Sequence, residues 1–270
     1  MVGWIISITV VIIVIAIFLC RRIARNTMRK KLLAAPISTQ WQNIIQKNVP
    51  IYNHLPQQLK DQLAGLVNVF IAEKRFEGCG GQEITDEVKL TIAAQACILL
   101  LNRKTKYFPK LKRIYVYPAT YIAKQASSGG LIGPQARLGE SWQHGPVVLA
   151  FNSVTGGAQN IKDGRNVVFH EFSHRLDQED GVADGAPILE NRSSYATWAK
   201  VLSIEYQALQ GKARKRRRSV IRKYGATNPA EFFAVATEAF FEKAKQMKKK
   251  QPELYEELKS FYKLDPVEWV

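Results

Sequence analysis

Cysteine is scarce in this chain of 270 residues: Cys20, Cys79 and Cys97 are scattered, and none belongs to a C-x-x-C pair. That excludes a disulfide framework and fits a reducing compartment. Cys97 falls in an apolar helical run and reads as core. Cys20 closes a hydrophobic segment and reads as an interfacial thiol, with lipidation as the alternative. No internal repeat is present. At 46% hydrophobic and 23% charged residues the composition is that of an ordinary globular chain with one sizeable core or at most two small ones.

Acid is absent from three windows that are rich in base. Residues 21–31 carry six Lys and Arg, 212–223 carry eight and 243–250 carry five, together 19 of the 39 basic residues. Elsewhere 20 basic residues face 23 acids, so the rest of the chain carries −3 and the net +16 belongs to three short tracts. A uniformly basic fold is excluded. The 212–223 tract lacks aromatic interleaving and any recognisable reader module, so nucleic acid is not the expected partner. A solvated loop, one drawn to anionic headgroups, is the expected reading.

Charge of either sign is missing from Val2 to Cys20, 19 residues that as a helix span about 28 Å, close to a bilayer core. Nothing basic precedes the run, and Phe18-Leu19-Cys20 is not a small-residue cleavage site, so an uncleaved anchor is expected. Arg21, Arg22, Arg25, Arg29, Lys30 and Lys31 follow directly. This places the C-terminal side in the cytoplasm and predicts a single-pass protein of the inner (cytoplasmic) membrane.

The expected domains are an anchor at 1–20, a basic juxtamembrane linker at 21–49, and a folded body at 50–270. Spacings of three and four among Leu59, Leu63, Leu66, Val67 and Phe70, and among Val88, Ile92, Ala96 and Leu99, predict two amphipathic helices. Gly78-Cys79-Gly80-Gly81 lacks the spacing and the lysine of a phosphate-cradling loop and is assigned a turn without ligand. Strands are predicted at Arg113–Tyr117 and Pro146–Phe151, and helices near 164–178, 193–210, 228–246 and 253–262. Helix dominates, so the expected fold class is α+β with a small sheet.

Histidine is also rare, with four residues, yet two of them stand in His170-Glu171-Phe172-Ser173-His174. On a helix, histidines four apart share a face and both imidazoles can address one ion, while the Glu beside the first reaches the same cavity. The flanking Val167, Val168 and Phe169 are apolar, and burying two His and a Glu among them without a metal is costly. His54 and His144 read as loop residues. A catalytic zinc needs a third protein ligand. Asp177 shares the helical face but is crowded and reads as support for the ligands. Glu231 and Glu238 lie seven apart on one face of an apolar helix. Glu231 has the alternative of being the third-position acid of a capping box headed by Asn228. On spacing alone both remain open.

The blocks Ile84–Leu101, Gly145–Phe151, Asp163–Asp177, Asp180–Leu189, Tyr224–Phe241 and Pro252–Pro266 resemble the Mlc titration factor A family of zinc metallopeptidases, over nearly everything from residue 50 onward. The resemblance implies a mostly helical, zincin-like catalytic domain whose core is similar to that of the anthrax lethal factor. It implies one zinc ion held by His170, His174 and Glu231, with Tyr224 assisting catalysis and Glu238 left either to support the ligands or to pack its helix. Glu171 is then the general base that takes a proton from zinc-bound water and delivers it to the leaving amine. The implied activity is peptide hydrolysis, with aminopeptidase action on small peptides in named members, and the implied partners are peptide or protein substrates and a transcription repressor of the Mlc type. A role in regulating sugar-uptake genes follows from the same likeness. The alternative function is sequestration of such a repressor, with hydrolysis incidental. The anchor and the strongly basic 212–223 tract depart from the family pattern.

Overall fold

A computed structural model describes residues 2–104, 106–119, 121–123, 135–137, 139–141 and 145–269. His144, read from sequence as a loop residue, lies outside them. In chain order the elements are α1 (Val2–Ala34), α2 (Thr39–Asn48), α3 (Gln57–Glu73), β1 (Arg75–Gly78), α4 (Asp86–Ile98), β2 (Arg113–Tyr117), β3 (Tyr121–Ala123), β4 (Gln135–Arg137), β5 (Gly139–Ser141) and β6 (Val147–Ala150). Then follow α5 (Phe151–Gln159), α6 (Val167–Asp177), α7 (Ser194–Arg214), α8 (Pro229–Glu242), α9 (Ala244–Lys250) and α10 (Pro252–Tyr262), with a 3-10 turn at Lys223–Ala226.

The fold is mostly helical with a small sheet, as expected. The sheet runs β1-β2-β6-β5, with β1, β2 and β6 parallel and β5 antiparallel to β6 on the edge. All four residues of β6 are buried. This explains its unbroken apolar sequence, since helices cover the parallel strands. The predicted turn at 78–81 supplies the last residue of β1, and Gly80 and Gly81 take positive φ of 61° and 82° just after it. The helix predicted over 228–246 is two helices, because the backbone leaves helical geometry at Lys243 (φ −126°, ψ 33°).

The largest departure is at the N-terminus. The helix does not stop at the basic flank but continues to Ala34, and the stretch expected to be a linker is folded. Ser38 caps α2, which buries Ile45 and Asn48, and Val49 is buried after it. The last turns of α1 lie on α3, where Arg29 forms a two-pronged ion pair with Glu73 (2.6 and 2.8 Å) and stacks over the Tyr107 ring at 4.5 Å. Asn68 donates to the terminal carbonyls of Leu32 and Ala35, and at Gly65 a Cβ would stand 2.5 Å from the Leu33 oxygen. Periodicity missed this because the interface uses a glycine and polar caps in place of an apolar stripe. Residues 7–28 of α1 are exposed, and Ser7–Ala34 is long and apolar enough to cross a membrane.

Around the site, α4 is buried from Leu90 through Ile98, which places Cys97 in the core. Burial raises its thiol pKa, so it is inert. α6 crosses this core with every residue from Val168 to Asp177 buried, packed against α4, α5 and α8.

Candidate metal centre

α6 begins at Asn166, whose side-chain oxygen accepts from the Phe169 amide (2.9 Å) while its amide group donates to Gln95 of α4 (2.9 Å). Such a cap is worth about 1 kcal/mol and sets where the helix starts. Four and eight residues on, the His170 and His174 rings stand edge to face with centroids 4.8 Å apart and their Nε2 atoms 3.3 Å apart.

α8 brings the third group. Asn228 caps it by accepting from the Glu231 amide (2.8 Å), as the capping alternative expected. The Glu231 carboxylate does not reach back to the cap, however. Its oxygens lie 3.1 Å from His170 Nε2 and 3.7 Å from His174 Nε2. One nitrogen from each histidine and one oxygen of Glu231 fall within 4.8 Å of one another, and no other such cluster occurs among the described residues.

Glu238, seven residues further along α8, sits behind this cluster. Its Oε1 is 2.8 Å from His170 Nδ1, Oε2 accepts from the Asn166 backbone amide (2.8 Å), and Arg222 Nη2 reaches both oxygens (2.6 and 2.8 Å). With its oxygens accepting from Arg222 and the Asn166 amide, this buried carboxylate faces Nδ1 of His170 as a further acceptor, which calls for the ring proton on Nδ1. In the neutral imidazole, Nε2 then carries the lone pair, aimed at His174 and Glu231. Glu231 Oε2 is buried and accepts no well-formed hydrogen bond. Lone pairs converging at this spacing repel unless a cation joins them. Accordingly, although burial alone would lower it, the His170 pKa is pushed up to about 10 by the carboxylates of Glu231 and Glu238. Burial opposes ionisation of Glu231 as well, yet the two imidazoles hold its pKa well below the carboxylate range. The donor set, two imidazoles and one carboxylate, is the type that takes a divalent metal and leaves a position open.

Glu171 follows His170 on the buried helix and lies within electrostatic reach of His170, Arg175 and Tyr224. Tyr224, in the 3-10 turn before α8, is 53% exposed, with its ring centroid 6.0 Å from that of His170. Partial burial and the nearby Glu231 and Glu171 raise its pKa, so its hydroxyl keeps its proton.

Asp177, one turn past His174, takes no part in the cluster. It accepts from the Gly185 amide (3.0 Å), and burial raises its pKa to about 6. Gly185 has φ +79° and abuts the first turn of α8, where a Cβ would stand 2.5 Å from the Pro229 oxygen. Trp198 Nε1 fixes the same glycine by donating to its carbonyl (3.0 Å). Sequence reasoning missed Arg222, Asn166 and Gly185. Arg222 was hidden in a basic tract, although the apolar Val220-Ile221 before it marks where the chain turns inward.

Residues 23–263 match the family described as glucose-regulated metallo-peptidase M90. An uncharacterized Synechocystis protein, slr2042, is 39% identical over 243 residues, covering 88% of each chain. A protein named Mlc titration factor A from Klebsiella pneumoniae is 30% identical over 226 residues, 81% of this chain and 84% of its own. One of the same name from Escherichia coli is 28% identical over 235 residues, 84% and 87% respectively. With the family spanning the body and a His-His-Glu cluster at its centre, the chain belongs to the M90 metallo-peptidases.

Proposed function

We propose that the chain is a membrane-anchored, zinc-dependent peptidase of the cytoplasmic face. The observation that carries this reading is the convergence of His170, His174 and Glu231, with Glu238 dictating which histidine nitrogen faces the ion. A zinc ion held there supplies Lewis acidity, which brings the ionisation of water into the neutral range and polarises a peptide carbonyl. Glu171 takes the proton of the attacking water and passes it to the leaving amine. Tyr224, its hydroxyl protonated and its ring at the mouth of the site, donates to the oxyanion of the tetrahedral intermediate. Glu238, Arg222 and Asn166 hold His170 in place, and Asp177 holds the loop that braces α8.

The anchor is α1. Its uncharged half is the length of a bilayer core, and Arg21, Arg22 and Arg25 are exposed at its C-terminal side, the arrangement that keeps that side cytoplasmic. Unlike a tether on a loose linker, the helix continues into the clamp at Arg29 and Glu73, which holds the body close to the headgroups.

The test is Glu171→Gln in the full-length chain. Zinc content of about one ion per chain with peptide hydrolysis abolished is expected; unchanged hydrolysis would remove Glu171 from its role. Comparing peptides with free and acetylated N-termini tests the aminopeptidase reading, which requires the free amine. A second reading is favoured by the name Mlc titration factor A borne by relatives. In it the chain binds a repressor of that kind, hydrolysis is incidental, and regulation of sugar uptake survives in the Glu171→Gln strain.

A further inference from the structure

Arg214, Lys215, Arg216, Arg217 and Arg218 are consecutive and all exposed. None of the five forms an ion pair among the described residues, whereas Arg29 pairs with Glu73, Lys263 with Glu190 and Lys259 with Asp265. Adjacent like charges without counter-charges repel one another, a standing cost that an anionic ligand would relieve.

The run is displayed on a fixed frame. At its start α7 is closed by bonds from the Lys215, Arg216 and Arg217 amides to the carbonyls of Gly211, Ala213 and Lys212 (3.1, 3.1 and 2.9 Å), with Arg216 in the left-handed region at φ 51°. At its end Val220 packs on the core, Ile221 is fully buried, and Arg222 is bound to Glu238. Two residues later comes Tyr224, at the mouth of the metal centre. Gly225 packs against Leu209, and Tyr206 donates to the Ala226 carbonyl (3.3 Å), so both ends of the run are tied to the wall that carries Tyr224.

We propose that this run is a substrate-selecting surface that recruits acidic polypeptide segments to the metal centre, a proposal that rests on the peptidase reading above. Attachment to the wall bearing Tyr224 favours a polypeptide over a bilayer as its partner. α1 packs on α3, whereas the run hangs from α7 and leads into α8, and Arg21, Arg22 and Arg25 already provide cations where α1 leaves the membrane.

The test uses the full-length chain in neutral detergent, with Glu171→Gln for binding and the native Glu171 for turnover. The loop variant carries Lys215→Gln, Arg216→Gln, Arg217→Gln and Arg218→Gln; it spares Arg222. Fluorescent peptides bearing an Asp/Glu cluster, and their Asn/Gln counterparts, are titrated by anisotropy. Tighter binding of the acidic peptide by about tenfold at low salt, lost on neutralising the loop and suppressed by added salt, is the expected result. In turnover the loss is expected in KM with kcat unchanged. Equal affinity for both peptides, or a preference that survives in the loop variant, overturns the proposal. So does a loop effect that arises only in anionic vesicles and is indifferent to peptide charge, since the run would then read lipid. Acidic-peptide binding without cleavage by the native chain would instead overturn the peptidase reading and leave this surface standing.

Discussion

Arg222 closes on Glu238 through a single nitrogen, Nη2, 2.6 Å from one carboxylate oxygen and 2.8 Å from the other, while its Nε donates to the Gly164 carbonyl at 3.0 Å. Glu238 in turn fixes Nδ1 of His170, so a residue from the basic tract governs which ring nitrogen points into the His-His-Glu cluster. Removing one partner of a buried charge is worse than never having had the pair, because the remaining carboxylate is left underpaid in donors. Arg222→Gln is expected to lower zinc affinity by about 10- to 100-fold, read by competition with a chromophoric chelator. Arg222→Lys is expected to recover part of it, since lysine keeps the charge but cannot reach Gly164 and Glu238 together. Unaltered affinity in Arg222→Gln would show that Asn166 and the fold alone orient the imidazole.

In the mechanism proposed above, Tyr224 serves chemistry and not metal binding. It is half-exposed and beside His170, outside the triad of lone-pair donors, so Tyr224→Phe should leave zinc content and folding unchanged. Loss of an oxyanion donor costs about 100-fold or more in kcat with little change in KM. A rise in KM with kcat intact would instead make the ring a substrate contact.

Gly185 is the point where the loop after α6 meets the start of α8. At φ +79° an added Cβ is strained whatever the space, and here it would also lie 2.5 Å from the Pro229 oxygen, which is backbone and cannot turn aside. Gly185→Ala is therefore expected to cost on the order of 2 kcal/mol or more in denaturant unfolding. Because Glu231 lies two residues beyond Pro229, zinc affinity should fall with it. Loss of stability alone, with affinity retained, would mean that the ligand geometry is independent of this contact.

Much of this site is written in the sequence because its chemistry is local. His170-Glu171-x-x-His174 is one helix face, and a carboxylate on the apolar α8 needs a partner, so both Glu231 and Glu238 stand out; choosing between them depended on family likeness. What stayed hidden is nonlocal. Arg222 looks like its exposed neighbours until Glu238 is placed 16 residues away, and Gly185 looks like any loop glycine until Pro229 is brought against it. The strand Arg113–Tyr117 is legible as a β-branched run, and the apolar run Pro146–Phe151 contains Val147–Ala150 but overshoots by one residue at each end, Phe151 opening α5, whereas β1 and the clamp of α1 on α3 carry no periodic signal. The helix across the basic flank has no apolar stripe to mark it, yet arginine is a good helix former and α1 runs on to Ala34.

Glu242 supplies the pH test. It is the last residue of α8, buried, with Oε2 accepting from the Arg165 amide at 3.0 Å and Oε1 unpaired. Burial, with Glu238 and Asp163 nearby, raises its pKa to about 8, against the opposing hydrogen bonds from Asn166 and the Arg165 amide. An acid whose pKa is higher folded than unfolded binds its proton more tightly in the native state, so it draws stability down as pH rises. The loss begins near the unfolded value of 4.5 and is complete above about 8. Glu242→Gln keeps an acceptor for the Arg165 amide and cannot ionise. The variant should match the native chain in stability near pH 4.5 and exceed it progressively toward pH 8, by up to a few kcal/mol at about 1.4 kcal/mol per pKa unit. Parallel denaturant-unfolding curves across that range measure the divergence, and a constant difference between the two proteins would show that Glu242 is ionised in the fold throughout.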